Sequence, residues 1–227
     1  MILKLMSFNT QHCKNYITKK IDYNEIINLI NKYDVDIIGL NEIYGLSKNI
    51  NQASKISKTL KYNTCFGIST HLLLLPYGNA IISKYPIISN EVIKIPYPKI
   101  KTGNKYYEKR SILKVILNIN NNILTIYITH LGLNKDEQEN GINLLLNSNK
   151  NKSIIMGDFN TDDSNMLKQL KKDFNDTTNE DMYSFPSKKP KRKYDYIFVS
   201  KDIKKISSYV LDEIISDHRP IYTEIDI

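Results

Sequence analysis

The chain has 227 residues, of which 41% are hydrophobic and 25% charged, a balance typical of a globular protein with a sizeable core. Its two cysteines, Cys13 and Cys65, exclude a disulfide framework and a cysteine-ligated zinc site. No apolar run approaches the roughly 18 residues of a membrane span, and the N-terminus shows no signal-peptide core. We therefore expect a single cytoplasmic domain over residues 1–227, monomeric and without membrane association.

The formal net charge is +8. A basic balance is typical of proteins that bind nucleic acid or another polyanion. The alternative is a biased genome, because Asn, Ile, Lys and Tyr abound while arginine occurs only at positions 110, 192 and 219. The composition leaves both interpretations open.

The apolar pattern predicts a first strand at Lys4–Phe8, a helix at Ile21–Tyr33 and a second strand at Val35–Leu40. Further helices are predicted at Ile50–Leu60, Glu137–Leu146 and Ser164–Lys172. Further strands are predicted at Gly78–Ser83, its neighbour Ile87–Ile95, the hairpin of Ser111–Ile119 with Ile123–Thr129, Ser153–Met156, Tyr194–Val199 and Ile221–Ile227. This mixture of hairpins and strand–helix–strand units predicts an α+β sandwich of two sheets packed face to face with helices outside.

Polar residues follow the ends of the apolar runs. The central strand Ser153–Met156 is followed by Gly157, which permits a sharp turn, and then by Asp158 and Asn160. The residues that end the other runs share a carboxylate, amide or imidazole side chain, and they are Asn9, Glu42, His130, Asp217 and His218. Such residues suit a hard, oxygen-preferring cation and a phosphate substrate. Neither a serine nucleophile elbow nor a glycine-rich phosphate loop is present, so the chemistry predicted is metal-assisted hydrolysis by water.

Seven segments in order resemble the endonuclease/exonuclease/phosphatase superfamily. They are Ser7–Asn9, Leu40–Glu42, Tyr77–Ile87, Thr129–Leu131, Gly157–Asn160, Tyr194–Phe198 and Ser216–Pro220. The resemblance implies a four-layered α/β sandwich, with two packed mixed β-sheets flanked by helices. It also implies hydrolysis of a phosphoester that depends on Mg²⁺, with Mn²⁺ as a substitute. One departure is Asn41, where the family more often has glutamine, and we expect that position to accept an amide of either length.

When the residues of the family are matched to this sequence position by position, the resemblance implies that one side of the site binds the metal. Glu42 resembles the principal Mg²⁺ ligand, with Asn9 beside it. Asp217 resembles an additional carboxylate on the same side.

The resemblance also implies a side that handles water and phosphate. Asp158 resembles the residue that aligns or deprotonates the attacking water, and Asn160 would hold that water or a phosphate oxygen. His130 and His218 would donate hydrogen bonds to the phosphate as its negative charge grows. Asp195 would accept from His218 and fix its ring.

Three features keep more than one interpretation. Arg110 either binds a substrate phosphate or pairs with Glu108 at the surface. Asn79 either lines the cleft as a substrate-binding residue or is an amide at a turn. The basic run Lys188–Lys193 is interpreted first as a contact for a polyanion, against a solvated loop or an address signal. The histidines at positions 12 and 71 match no motif and are left out of the predicted site.

The leading prediction is a phosphodiesterase or nuclease acting on nucleic acid, DNA or RNA, or on a nucleotide-like ester. The alternatives are a phosphatase for a soluble phosphomonoester or inositol phosphate, and a non-catalytic binding module on the same fold. A sphingomyelinase is disfavoured, because the sequence shows neither an export signal nor an apolar hairpin for docking on a membrane.

Overall fold

Two six-stranded β-sheets pack face to face, and helices cover their outer faces. The computed structural model describes residues 1–227. The helices are α1 (Tyr23–Lys32), α2 (Gln52–Leu60), α3 (Lys135–Leu146) and α4 (Ser164–Asp173). The strands are β1 (Ile2–Asn9), β2 (Ile37–Tyr44), β3 (Asn63–Leu72), β4 (Leu75–Ser83), β5 (Ile87–Lys94), β6 (Ser111–Ile119), β7 (Asn122–His130), β8 (Ser153–Asp158), β9 (Phe174–Asp176), β10 (Asp195–Ser200), β11 (Lys204–Val210) and β12 (Ile221–Asp226). None of the helices has the length and apolar content that a bilayer crossing requires.

Short polar side chains fix where the helices begin. The side chain of Asp22 accepts the first free N–H groups of α1, and Asp163 does the same for α4. Asn51 and Ser54 form a reciprocal capping box at the start of α2. These caps fix the first residues of α1, α2 and α4.

Both sheets are mixed, and each contains one parallel pair near its centre. The first sheet has the order β11-β12-β1-β2-β4-β3 and the second β5-β6-β7-β8-β10-β9. The parallel pairs are β1 with β2 and β7 with β8, while the other neighbours are antiparallel. Because parallel strands end at the same edge, the residues after β1 and β2 lie together, as do those after β7 and β8.

Three apolar clusters separate four layers of secondary structure. An aliphatic cluster of 18 buried residues, including Leu5, Ile126 and Met156, fills the space between the sheets. A second cluster lies under α1 and α2, and a third lies under α3 and α4. The sheets approach so closely that a Cβ added at Gly39 would lie 2.5 Å from Met156 Sδ. The expected four-layered sandwich of two packed mixed sheets is therefore confirmed.

Several predicted elements differ from the structure. The segment Ile87–Lys94 does not pair with β4, because Pro86 and the turn before it carry the chain into the other sheet, where β5 pairs with β6. The sequence pattern also misses β3, β9 and β11. All three are strands at the edge of a sheet, and β11 is mostly exposed, so they lack a continuous apolar signal.

The β3–β4 hairpin ends in an apolar tip. Leu72 pairs with Leu75, so that Leu73 and Leu74 form a two-residue connection. Both side chains are exposed. The sequence pattern did not identify this hairpin, because it predicted neither β3 nor the turn that follows it.

Candidate active site

The polar residues of the site lie at the ends of strands, on the same face of each strand as the aliphatic side chains that are buried between the sheets. Successive side chains of a strand alternate in direction, so Asn9 faces the same way as Leu5. By the same rule Asp158 continues the inward face of β8. The strand registers then place His130 beside Asp158 and Asp195 opposite Asp158. The site is therefore the polar end of the core between the sheets, as the strand-end residues predicted.

Asp195 and His218 form the strongest contact of the site. The Oδ2 atom of Asp195 lies 2.7 Å from Nδ1 of His218. Nε2 of the same ring lies 3.6 Å from Oδ2 of Asp158. The predicted contact between Asp195 and His218 is present, and it aims the other ring nitrogen at Asp158 and the cleft.

These two carboxylates set the protonation state of His218. Burial alone would lower the pKa of His218, but Asp195 and Asp158 outweigh it and raise the pKa to about 10. The ring is therefore an imidazolium at neutral pH, with a proton on each nitrogen. Phe185 lies against it with its ring centroid 4.7 Å from that of His218, which limits rotation of the imidazolium.

Asp158 is held from several sides. The backbone N–H of Asn160 donates to its Oδ1 at 2.8 Å, and Asn9 Nδ2 donates to its Oδ2 at 3.0 Å. Burial raises the pKa of Asp158 above that of an ordinary aspartate, although the charge on His218 opposes this. Such a carboxylate is a stronger base than a solvated one. The side chain of Asn160 donates to the carbonyl of Leu131 at 3.0 Å, which fixes its amide beside Asp158.

His130 is a neutral ring with an assignable tautomer. Its Nδ1 lies 2.9 Å from Nη1 of Arg110, and a guanidinium has no acceptor, so Nδ1 accepts and Nε2 carries the proton. Burial, together with the charge on Arg110, holds the pKa of His130 well below its ordinary value. Its Nε2 lies 3.5 Å from Oδ2 of Asp158. His130 therefore presents an N–H donor to the cleft.

Arg110 supports His130 from a buried position. Its Nη2 lies 2.9 Å from Oε2 of Glu108, so the alternative ion pair is present, although it is buried rather than on the surface. The guanidinium thus bridges Glu108 and His130. Direct contact of Arg110 with a substrate phosphate stays a prediction.

Glu42 reaches the cleft through a local irregularity of β2. The pairing of β2 with β4 shifts register between Leu40 and Ile43, and Glu42 has a φ of 61°. Regular alternation would turn residue 42 to the same face as Leu40, which packs under α1 and α2. The irregularity turns the side chain instead toward Asn9, whose Nδ2 lies 3.3 Å from Oε1 of Glu42. A strained backbone at this position is typical of functional sites.

A sequence profile described as the Endonuclease/Exonuclease/phosphatase family matches residues 6–218, almost the whole chain. The chain belongs to this family. Members of the family are phosphoesterase hydrolases, and the family is generally metal-dependent. No curated protein matches the chain.

Solved structures share the fold of this family member. An endonuclease/exonuclease/phosphatase from Beutenbergia cavernae superposes with a TM-score of 0.86 at 19% identity, covering 100% of this chain and 72% of the other. A family protein from Leptotrichia buccalis superposes with a TM-score of 0.79 at 22% identity, covering 99% and 100%. D. rerio TDP2 complexed with single-strand DNA product superposes with a TM-score of 0.72 at 16% identity, covering 100% and 99%. At these identities the likeness shows the fold alone.

The metal that the family implies fits the charge balance around Glu42. Burial, helped by the nearby charge of Asp217, raises the pKa of Glu42 to about 7. A raised pKa means that no neighbouring positive charge stabilises the ionised carboxylate of Glu42 sufficiently. The group that could carry such a charge is His12, whose Nε2 lies 3.5 Å from Oε2 of Glu42. Burial lowers the pKa of His12, so this ring does not supply the missing charge. Oxygen donors that lack a cation suit a hard divalent ion.

The amide of Asn9 lies between the carboxylates of Glu42 and Asp158. Its Oδ1 accepts from the backbone N–H of Gln11, and its Nδ2 points at both carboxylates. The role of Asn9 on the metal side of the site, beside Glu42, stays a prediction. Gln11 also donates to Oδ2 of Asp217 at 3.1 Å, which ties that carboxylate to the same turn.

A second group could hold a cation. Ligand atoms of Asp158, Asp195 and His218 all lie within 4.8 Å of one another. A metal there would have to displace a proton from the imidazolium of His218. The donors around Glu42 and Asp217 are free of that competition, so they are the better fit.

The structure does not bring Asn79 to the cleft, which corrects its predicted role in binding substrate. Asn79 is only 2% exposed. Its Oδ1 accepts from Asn41 at 2.8 Å, and its Nδ2 donates to the carbonyl of Ser111 at 3.0 Å. Asn79 lies on the inward face of β4, where it supports Asn41.

Asn41 links the two sheets directly under the site. Its Nδ2 also donates to the carbonyl of Thr129 at 2.9 Å, and its Oδ1 accepts from the backbone N–H of Asp158 at 3.1 Å. Sequence reasoning noted this residue only as a departure from the family. Its bridging role follows from the packing of β2 over β7 and β8, which the sequence pattern does not contain.

The basic run is divided by the structure. Lys193 is buried, and its Nζ lies 2.9 Å from Oδ2 of Asp176. Nη2 of Arg192 lies 2.8 Å from Oδ1 of Asp162. The side chains of Lys188, Lys189 and Lys191 are exposed. The loop also shapes the site, because the backbone N–H of Ser187 donates to the carbonyl of Asp217 at 2.7 Å.

His12 is a residue of this site that sequence reasoning missed. It lies in a turn whose three residues Gln11, His12 and Cys13 all have positive φ. Its ring lies 4.5 Å from that of Tyr44 and 5.7 Å from that of Tyr77. A histidine close after the Ser7–Asn9 segment was the available signal, but the turn that brings it to Glu42 leaves no periodic pattern.

Proposed function

We propose that this protein hydrolyses a phosphodiester of nucleic acid, or of a nucleotide-like ester, by means of an activated water and Mg²⁺. The observation that carries the proposal is the contact series Asp195–His218–Asp158 beside Glu42. It combines a fixed cationic donor, a buried base and a carboxylate that lacks a cation within one cleft. Phosphodiester hydrolysis needs all three, because its substrate is anionic and repels hydroxide.

Asp158 is the proposed base. A water in the cleft would give its proton to the Asp158 carboxylate and attack phosphorus. The P–O bond to the leaving alcohol would break, and the departing oxygen would take up a proton from solvent. The N–H of Asn160 and the amide of Asn9 hold that carboxylate in one orientation. General base help of this kind contributes about 10²–10⁴-fold to a rate.

The two histidines are proposed to stabilise the charge that grows on the phosphate oxygens. His218 would donate from Nε2 as an imidazolium, and His130 would donate from Nε2 as a neutral ring. Asp195 and Arg110 hold these donors from behind, so the rings need no reorientation during the reaction. Mg²⁺ held by Glu42 and Asp217 would neutralise phosphate charge and stabilise the leaving oxygen.

Three features support a nucleic-acid-like substrate. The chain carries a net charge of +8. Lys188, Lys189 and Lys191 are exposed on the loop that contacts Asp217 through Ser187. The structure of D. rerio TDP2, which shares the fold, is described as complexed with single-strand DNA product.

The test is an activity panel run with Mg²⁺ and with EDTA. The substrates are plasmid DNA, single-stranded DNA, a 5′-tyrosyl oligonucleotide and inositol phosphates. We expect Mg²⁺-dependent cleavage of at least one nucleic-acid substrate. Turnover of inositol phosphates alone would favour the phosphatase, and no turnover of any substrate would favour the binding module.

A further inference from the structure

The hairpin between β3 and β4 ends in a run of exposed leucines. Leu73 is 95% exposed and Leu74 is 93% exposed, the highest values among the large hydrophobic residues of the chain. Isolated exposed leucines are ordinary, but two adjacent ones at a projecting tip form an apolar surface. They add nothing to the core, so the packing of the fold does not explain them.

The backbone of the same tip is strained. Leu73 has a φ of 49° and Leu74 a φ of 69°. A two-residue hairpin connection with both φ angles positive is fitted best by Asn-Gly, because a leucine Cβ is crowded in the left-handed region. The chain thus keeps leucine at two positions where the side chain does not pack and the backbone does not suit it. Such a sequence choice indicates a use for the leucines outside the fold.

A second loop extends the apolar surface. Leu46 is 72% exposed and Ile50 is 57% exposed, and both follow β2. Together with Leu75 they line a shallow cleft of about 200 Å³. We call the set of Leu46, Ile50 and Leu72–Leu75 the leucine rim.

Basic side chains flank the leucine rim on both sides. Lys55 lines the cleft beside Ile50, and Lys48 is exposed on the same loop. On the other side of the hairpin, Lys94 and Lys109 line a cleft of about 540 Å³. No acidic residue lines either cleft. The charge around the leucine rim is therefore complementary to an anionic surface.

We propose that the leucine rim docks on an anionic lipid bilayer, with Leu73 and Leu74 inserted among the acyl chains and the lysines near the headgroups. Aliphatic tips flanked by lysines are what interfacial anchors use. A surface for stacking nucleic-acid bases would present aromatic rings at its most exposed point. Tyr23 and Tyr44 line the adjoining cleft, but the two most exposed side chains, at the tip itself, are both leucines. Such docking differs from the expectation of no membrane association, and the test below decides between them.

Docking would bring the mouth of the active-site cleft, which contains Glu42, to the bilayer surface. Leu75 precedes Tyr77 by two residues, and the ring of Tyr77 packs near His12, which contacts Glu42. The inference concerns recruitment to a surface. It holds whichever phosphoester is hydrolysed, and its test needs neither substrate nor metal.

The test is co-sedimentation of the full chain with vesicles of phosphatidylcholine mixed with phosphatidylglycerol, and with vesicles of phosphatidylcholine alone. The variant is Leu73→Asn with Leu74→Gly, which removes the apolar tip and supplies the residues that the turn prefers. The matched control is Ile123→Asn with Ile206→Asn, which removes two exposed apolar side chains far from the leucine rim in the sequence. Thermal unfolding of each protein shows whether its fold is intact.

We expect the parent to bind the mixed vesicles and the Leu73→Asn/Leu74→Gly variant to bind them about 100-fold more weakly. The Tm of that variant should be no lower than that of the parent, because the new turn relieves strain, and the control should bind like the parent. Lys48→Gln with Lys109→Gln should weaken binding to the mixed vesicles and lessen its sensitivity to salt. Equal binding by the parent and the leucine variant, or no binding by the parent, would overturn the proposal. The proposal would also be overturned if the Leu73→Asn/Leu74→Gly variant bound an oligonucleotide more weakly than the parent but bound the vesicles equally well.

Discussion

Replacing Asp195 with asparagine isolates the charge that keeps His218 protonated. The amide can still accept the hydrogen bond from Nδ1, so the ring keeps its orientation while the negative charge at 2.7 Å is lost. Asp195 is the first of the groups that raise the pKa of His218 to about 10 from an ordinary 6.5. With that charge gone, burial is opposed only by Asp158 and Asp217. We expect the pKa to return to its ordinary value or below.

The size of the effect follows from the protonated fraction. With a pKa of about 10, His218 is almost fully protonated at a pH of about 7.5, whereas an ordinary imidazole is protonated to about one tenth. If turnover needs the imidazolium, kcat at that pH should fall about tenfold, and further if burial holds the pKa below its ordinary value. Since the protonated fraction falls as the pH rises through the pKa, the alkaline limb of the pH–rate curve should move to lower pH.

The assay is the pH dependence of kcat and kcat/KM on the best substrate of the activity panel, with Mg²⁺ affinity measured in parallel. The deficit should shrink toward acid pH and grow toward alkaline pH, with metal affinity changed less than turnover. Asp173→Asn, which changes a half-buried aspartate paired with Lys150, is the control. An unchanged pH profile in Asp195→Asn would refute the reasoning, and so would a deficit of equal size at every pH.

Three further predictions concern metal, polyanion and fold. Glu42→Ala should abolish Mg²⁺-dependent activity and leave the fold intact. Because burial raises the pKa of Glu42 from 4.5 to about 7, the parent in EDTA should lose about 3 kcal/mol of stability as the pH rises through that window, and the variant should not. Replacing Lys188, Lys189 and Lys191 with glutamine should weaken oligonucleotide binding and flatten its salt dependence, whereas an unchanged slope would leave the loop merely solvated. Asn41→Ala should lower stability in urea by roughly 2–4 kcal/mol, since it leaves buried partners unsatisfied, and Asn41→Gln should lower it less.

The sequence predicted the residues at strand ends because that signal is local. An apolar run followed by a polar residue marks Asp158 or His130 directly, and alternation along the strand turns such residues inward. The contact of Asp195 with His218 was predicted from the family resemblance, which named both residues. A carboxylate inside an apolar strand needs a partner, and this requirement agrees with that pairing.

Other parts of the site depend on relations that no local pattern contains. Asn79 has the same residue type as Asn9, and only the packing of one sheet on the other shows that it is buried. The direction of Glu42 depends on a shift of register within one strand. His12 reaches the site through a turn of residues with positive φ. The exposure of Leu73 and Leu74 depends on the turn that joins β3 to β4, which the sequence pattern did not place.

Asn41 gives the site a mechanical property. Glu42 and Asn9 belong to one sheet, while Asp158, His130 and Asp195 belong to the other. Burial of the aliphatic side chains between the sheets is favourable in any relative position of the two layers, because the hydrophobic effect has no preferred direction. It therefore opposes separation of the layers, which would expose apolar surface, more than it opposes sliding of one layer over the other. The side-chain amide of Asn41, which belongs to the first sheet, forms directional hydrogen bonds with the backbone of Thr129 and Asp158 in the second sheet, at the end where the reacting groups meet. A small slip of one layer over the other would thus misalign the groups while most of the core stayed buried. Under mild denaturant, activity should vanish before the layers come apart.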